Sequence, residues 1–273
     1  MSAEYLPVLA NVESHKKFME TYPKFCDALA GIVELTNRVT VEAKTEDADQ
    51  DRQLANVLMY ELSVLTFEDF DEIVLLCADG HPRGGLKILR GMFERSVTLF
   101  EIDEHPEQGK LFYEYTHIDR YKLATQMQQE YPGKFFTKEK LAELRAKRDE
   151  VKANYLRACK NCGHETVGTS WMEYGIVELA RQRGFKGSLL LHAYYDALNE
   201  THPKMEAIFR RQLERNAPWK ADTGRATIHV AHILVPGNVR AMKERFKMKD
   251  LEQLYQRCDQ EYKEAWPSEQ KAE

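Results

Sequence analysis

Residues 49–103 decide the fold class, and they read DQDRQLANVLMYELSVLTFEDFDEIVLLCADGHPRGGLKILRGMFERSVTLFEID. Apolar residues recur in this stretch at spacings of three and four, which is the period of an amphipathic α-helix. Gly80 and Pro82 interrupt the pattern, since glycine commonly follows the last residue of a helix and proline commonly begins one. The stretch therefore predicts two long helices, one from about Asp49 to Ala78 and one from about Arg83 to Asp103.

A stripe of leucines marks the first of these helices. Its members recur at spacings of three and four, and they are Leu54, Leu58, Leu62 and Leu65. Such a stripe is typical of a helix face that packs against a core. We therefore expect these leucines to be buried.

The helical period continues through most of the chain, and segments of alternating polarity that would indicate strands are scarce. We predict an all-α protein, an antiparallel bundle of long helices with additional C-terminal helices, because short connections favour antiparallel neighbours. The chain divides into an N-terminal helical arm (1–48), a helical bundle core (49–217), and C-terminal helices with a polar tail (218–273). One predicted helix runs from Thr137 to about Ala158, whereas residues 225–235 suit either a helix or a strand.

Composition narrows the class of protein. The chain has 273 residues, of which 43% are hydrophobic and 30% charged, and a formal net charge of −5. These values are typical of a folded globular protein without a general affinity for nucleic acid or anionic membranes. No apolar run reaches the roughly 18 residues of a membrane span, so we expect no membrane partner. Five cysteines, an odd number, and an N-terminus without a secretory pattern predict reduced thiols and a cytoplasmic location.

An arginine lies on the apolar face of the predicted helix 83–103. At about 100° per residue, Arg90 shares that face with Leu86 and Val97, and Glu94 lies one turn further on. An unpaired buried charge costs several kcal/mol, so Arg90 must be paired or must face a cleft. Two interpretations stay open: an ion pair with Glu94 that fixes the packing, or a clamp for a phosphate.

Histidines continue two further apolar faces. Leu191, Tyr195 and Leu198 share a face of a helix predicted from about Ser188 to Glu200, and His202 extends that face by one turn. Histidine is the side chain whose charge changes most readily near neutral pH, which suits it to acid–base chemistry. A histidine in such a position is also a common core residue, so both interpretations stay open.

A third polar group lies in residues 225–235. If this segment is helical, Arg225, His229 and His232 lie on one side of it, where arginine can bind phosphate and histidine can move a proton. The spacing is similar to the arginine–histidine motif of the HEPN ribonuclease superfamily. The alternative is that the three residues have structural roles only.

Two short motifs suggest metal sites. Cys159-x-x-Cys162-x-His164 has the spacing of half a zinc site, but a structural zinc needs four ligands and the chain has no second Cys-x-x-Cys. Zinc is thus one candidate cofactor, and a loop of reduced cysteines is the alternative. Glu114-x-x-His117 is a single Glu-x-x-His, whereas a di-iron bundle needs two.

Several of these residues occur in patterns that resemble a known family. Residues 84–94 resemble the Leu-Arg-x-x-x-Glu helix of the domain-of-unknown-function 5677 family, and residues 106–122 resemble its next helix. Downstream, Ser170-Trp171 and Tyr195-x-x-Leu-Asn-x-x-His202 are similar to its tryptophan and its Tyr-x-x-Leu-Ser-x-x-His ending. Asn199 stands where the family pattern has serine, so no role of that serine hydroxyl transfers to this chain.

The resemblance covers roughly residues 54–203. It implies an all-helical, mainly bacterial protein in which Arg90, Glu94, Tyr195 and His202 form a polar cluster inside the bundle. It implies no established activity, because the family has none.

Three functions stay open. The first is an enzyme that acts on RNA or a nucleotide phosphate, as a HEPN-like ribonuclease or defence effector. Arg90 would hold the phosphate, Glu94 would orient Arg90, and His202 or His232 would move the proton. The second is a non-catalytic module that binds a protein partner, and the third is a metal-dependent enzyme that uses Glu114, His117 and other histidines. We also expect a homo-oligomer.

Overall fold

The computed structural model describes residues 12–158, 162–202, 205 and 221–266. Over these residues the protein is all-α apart from one small hairpin, which confirms the predicted fold class. The helices are α1 (Val12–Thr21), α2 (Pro23–Glu42), α3 (Gln50–Ala78), α4 (Pro82–Glu104), α5 (Glu107–Glu130), α6 (Lys138–Val151), α7 (Ile176–Gln182), α8 (Gly187–Leu190), α9 (Ala197–Thr201), α10 (Ala221–Arg245) and α11 (Glu252–Ala265). Among the described residues, none of the helices combines the length and the apolar character that crossing a membrane requires.

Shorter elements connect these helices. A π-helical segment, Leu191–Asp196, joins α8 to α9, and 3₁₀ turns occupy Lys152–Tyr155 and Lys249–Leu251. Strands β1 (Leu156–Ala158) and β2 (Glu165–Val167) pair antiparallel as a hairpin.

Local sequence signals explain the ends of the two central helices. The Asp49 carboxylate caps α3 by accepting a hydrogen bond from the Arg52 backbone amide at 3.0 Å. Gly80 takes a φ of 81° directly after α3, a conformation that glycine adopts without steric cost, and Pro82 is the first residue of α4. The predicted break between the two helices is therefore confirmed.

Two segments differ from what the sequence predicts or leaves open. Thr137 caps α6, but the helix ends at Val151 and not near Ala158. After Val151 the chain forms a 3₁₀ turn, in which the hydroxyl of the buried Tyr155 donates a hydrogen bond to the Leu111 carbonyl at 2.7 Å, and it then enters the hairpin. Residues 225–235, by contrast, are entirely helical and lie within α10.

Helix α4 forms the centre of the core. Leu89, Phe93 and Val97 are fully buried where α4 packs between α3 and α10. Helix α3 runs antiparallel to α10, since Arg245 donates to Asn56 at one end and His232 contacts Phe70 at the other. Helix α11 then returns antiparallel to α10 and covers α2.

The buried face of α3 is displaced from the predicted leucine stripe. Leu62 is only 7% exposed, but Leu65 is 44% exposed, so the expectation for Leu65 is wrong. The buried positions instead include Met59, Phe70 and Ile73, which a pattern built on leucine alone misses.

We expect Leu62→Ala to lower the free energy of unfolding by about 2–5 kcal/mol, because it leaves a cavity in the core. The matched substitution Leu65→Ala, three residues away, should change it by no more than about 0.5 kcal/mol. Urea denaturation of the two variants measures both values. Equal losses would show that the face of α3 has been assigned incorrectly.

Candidate functional site

Arg90 and Glu94 of α4 form an ion pair beside the π-helical segment. The Arg90 Nε donates to Glu94 Oε1 at 2.9 Å, across one helical turn. The guanidinium carbon lies 5.1 Å from the centroid of the Tyr194 ring, which is a cation–π contact. The Arg90 side chain is 25% exposed and that of Glu94 is 38% exposed, so the pair lies at the edge of the core and remains open to solvent.

The remaining nitrogens of Arg90 distinguish it from neighbouring arginines. Within the described residues, neither terminal amino group of Arg90 has a hydrogen-bond acceptor. Arg95 engages Asp69 through both Nε and a terminal nitrogen, and Arg183 engages Glu101 and Glu104 through all three of its nitrogens. Arg90 therefore retains donors that an external anion can use.

Tyr195 and His202 do not occupy the interior positions that the helix pattern predicts. Tyr195 is 39% exposed and packs edge-on against Tyr194 at 5.4 Å, while His202 is exposed after the end of α9. Across the described part of the chain, His202 makes no hydrogen bond or ion pair with Arg90 or Glu94. The side chain on Arg90 is that of Tyr194, one residue before the predicted tyrosine.

This stretch of the chain buries a different face from the one predicted. Leu190, Ala193 and Ala197 are buried, whereas Leu191 and Tyr195 point to solvent. The prediction that the face of Leu191 and Tyr195 lies inside the bundle is wrong, because small alanines and not the larger side chains mark the buried face.

His192 and Asp196 are polar residues of the same segment that sequence reasoning missed. The Thr227 hydroxyl donates to the Thr223 carbonyl at 2.7 Å, so its oxygen must accept from His192 Nε2 at 3.2 Å. The other ring nitrogen of His192 lies 3.4 Å from an Asp196 carboxylate oxygen. The His-x-x-x-Asp spacing was visible in the sequence and could have indicated this pair.

His232 lies in an aromatic core and not at a surface. It is fully buried, and its Nδ1 accepts a hydrogen bond from the Trp266 indole at 2.8 Å. Phe25, Phe70 and Tyr262 surround the ring. Burial, together with the neighbouring His229, lowers the pKa of His232 to about 3. The imidazole is thus neutral at physiological pH, and its position keeps it away from any substrate.

His229 and Arg225 lie further toward the start of α10. His229 Nε2 is 3.0 Å from the Tyr262 hydroxyl, and its ring stacks against that tyrosine. Burial lowers the pKa of His229, and the positive charge of Arg225 lowers it further. Arg225 itself is exposed. The three residues share one side of a helix as predicted, but only Arg225 faces solvent.

The candidate metal ligands belong to two separate parts of the chain. Cys162 and His164 are exposed in the loop between β1 and β2, and Cys159 lies outside the described residues. Glu114 accepts a hydrogen bond from Asn154, while the ring of His117 packs on Tyr113. The described residues contain no group of three or more His, Cys, Asp or Glu side chains arranged to bind an ion.

The fold and the site define an all-helical protein with a partly exposed arginine that a glutamate and a tyrosine orient. Comparison with protein families matches residues 57–220 to DUF5677, a family of unknown function. The match covers more than half of the chain, so the protein belongs to this family, as the resemblance in its motifs implied. Comparisons with curated proteins and with solved structures find no match.

The low pKa of His232 predicts a loss of stability in acid. Above its ordinary pKa of 6.5 the histidine is neutral in both states. As the pH falls toward about 3, the unfolded chain takes up a proton that the native core refuses, so the free energy of unfolding decreases. This group alone contributes a slope of at most about 1.4 kcal/mol per pH unit.

His232→Gln should flatten the pH dependence in that interval, because glutamine keeps an acceptor for Trp266 and does not titrate. The matched control is His164→Gln, at an exposed site. Urea denaturation at several pH values between 7 and 4 gives the slopes. A slope in His232→Gln equal to that of the unmodified protein would contradict a neutral, buried His232.

Proposed function

We propose that the protein binds RNA or a nucleotide through a phosphate group at Arg90. The proposal rests on how the nitrogens of Arg90 are used: Glu94 engages Nε, Tyr194 covers one face, and both terminal amino groups are without a protein acceptor among the described residues. The outer edge of a guanidinium offers two parallel N–H donors, which match two oxygens of a phosphate. Because its orientation is already fixed, Arg90 loses little conformational freedom when an anion binds.

The charge of the protein limits how it can bind RNA. A net charge of −5 gives no general attraction to a polyanion, so the interaction must be local. For single-stranded RNA the logarithm of the binding constant falls by roughly 0.7 per neutralised phosphate for each logarithmic unit of salt. We therefore propose that the RNA-binding constant falls only slightly as salt is added, as the neutralisation of one or two phosphates implies.

In its enzymatic form the proposal assigns the proton transfer to His202. This histidine is exposed and follows the helical stretch that begins with the π-helical segment, so a bound substrate can reach it. His232 is not retained for this role because it is sealed in the core. Glu94 orients Arg90, and Tyr195 provides an exposed ring on which a base can stack.

We expect Arg90→Ala to weaken the binding of a labelled single-stranded RNA by about tenfold or more, as the loss of a charged bidentate contact implies. Arg90→Lys should recover only part of the affinity, because lysine lacks the planar fork. Fluorescence anisotropy at several salt concentrations measures the affinities and the salt slope.

Arg38→Ala is the matched control for this experiment. Arg38 also pairs with a glutamate one turn later, Glu42, but there both Nε and a terminal nitrogen are engaged on α2. RNA affinity should be unchanged in this variant. An equal effect of the two alanine substitutions, or none from either, would remove the support for a phosphate site at Arg90.

Cleavage separates the enzymatic form from simple binding. If the protein is a ribonuclease, incubation with RNA should give products, and His202→Ala should lower the rate by about 100-fold or more while leaving the affinity nearly intact. Electrophoresis of the RNA after incubation provides the measurement. Binding without products would restrict the function to recognition.

A second candidate function is a module that binds a protein partner, and one observation favours it. Leu191 is 54% exposed and lies four residues before the exposed Tyr195, so the π-helical segment presents an apolar surface next to Arg90. Exposed apolar surface of this kind often marks an interface, and the partner can be a second copy of the chain. Leu191→Ser combined with Tyr195→Ser should then abolish oligomers seen by analytical ultracentrifugation.

A further inference from the structure

A cavity of about 610 Å³ lies at the C-terminal end of α4, away from Arg90. It lies where the C-terminal end of α4, the turn after α7, the middle of α10 and the length of α11 come together. Small-molecule sites typically have volumes of about 300–1,000 Å³, so the cavity is large enough for a ligand of nucleotide size.

Aromatic rings form much of the wall. Phe100 and Phe185 stack on each other with centroids 5.9 Å apart and an interplanar angle of 25°, and Tyr255 and Tyr262 line the cavity from α11. Gly237 allows this arrangement, because a Cβ atom there would lie 3.2 Å from the Phe100 ring. Walls of this kind favour a flat, unsaturated ring.

Most charged side chains that line the cavity are already paired with other residues of the protein. One acid and one base are not. Arg183 is engaged by Glu101 and Glu104, and Asp259 accepts from Lys263 at 2.6 Å. Asp103 and Arg240 remain, and neither has a hydrogen bond or ion pair among the described residues. A complementary ligand must therefore carry both an anionic group and hydrogen-bond donors.

Asp103 and Arg240 line the same cavity but form no ion pair with each other. A ligand can therefore present its anionic group to Arg240 and its hydrogen-bond donors to Asp103.

We propose that this cavity binds a nucleoside 5′-monophosphate, with the phosphate on Arg240, the base between the aromatic walls, and the N–H donors of the base directed to Asp103. Guanine fits best, because a carboxylate accepts from its ring N–H and its amino group together. The site is separate from the phosphate site at Arg90 and does not depend on it.

Isothermal titration of the full chain with GMP tests the proposal, with AMP, guanosine and inorganic phosphate as comparison ligands. GMP should bind more tightly than AMP, guanosine or phosphate. Arg240→Gln should weaken GMP by about tenfold or more and leave guanosine unchanged, since only the phosphate contact is lost. Asp103→Asn should reduce the preference for GMP over AMP.

Two control variants locate the binding. Arg257→Gln changes an exposed arginine of α11 that pairs with Glu34 outside the cavity, and it should bind GMP normally. Arg90→Ala is the second variant, because it should remove only the GMP that binds at the proposed phosphate site at Arg90. The proposal is overturned if GMP shows no saturable binding at millimolar concentration, or if Arg240→Gln binds it as well as the unmodified chain does. Loss of GMP binding in Arg90→Ala but not in Arg240→Gln would assign the nucleotide to the other site.

Discussion

The burial of α4 is the constraint on which the rest of the structure depends. Leu89, Phe93 and Val97 are fully enclosed between α3 and α10, so the polar residues of α4 can lie only at the edges of that contact. Each edge then acquires its own environment. Arg90 and Glu94 meet the π-helical segment near the start of the helix, while the C-terminal end of the helix faces the cavity beside α10 and α11. Packing of one helix thus positions both candidate sites.

Arg90 and His232 both lie on predicted helix faces, but one stays at the edge of the core and the other is buried in it, because their charges behave differently. A guanidinium remains charged under nearly all conditions, so Arg90 is tolerated only where Glu94, Tyr194 and solvent compensate its charge. An imidazole can lose its proton, so His232 can enter the core as a neutral group with one hydrogen bond to Trp266. A polar residue on a helix face can therefore lie at the edge of the core or inside it, depending on whether its charge can be lost.

Helix content and helix ends were predictable from the sequence, because they depend on local signals. Gly80 with Pro82, and Thr137 as a cap, act within a few residues and required no knowledge of the fold. The end of α6 was not predicted, because the 3₁₀ turn that follows it holds Tyr155 against the distant Leu111, a contact that no local signal marks. The α3 face was predicted only partly, because a stripe of leucines alone overlooks Met59 and Ile73, which the fold buries completely.

The candidate site was predictable to the extent that it lies on a regular helix. The Arg90–Glu94 pair follows from α-helical geometry, and the structure places it as expected. Its aromatic partner did not follow, because the sequence pattern favoured the face of Tyr195, whereas the fold turns Tyr194 toward the guanidinium. The two tyrosines lie in a π-helical segment, an irregularity that is less favourable than an α-helix and is frequent at functional sites. Because Tyr194 covers Arg90 and its neighbour Tyr195 remains exposed, one short segment supplies both the ring on the guanidinium and the apolar surface beside it.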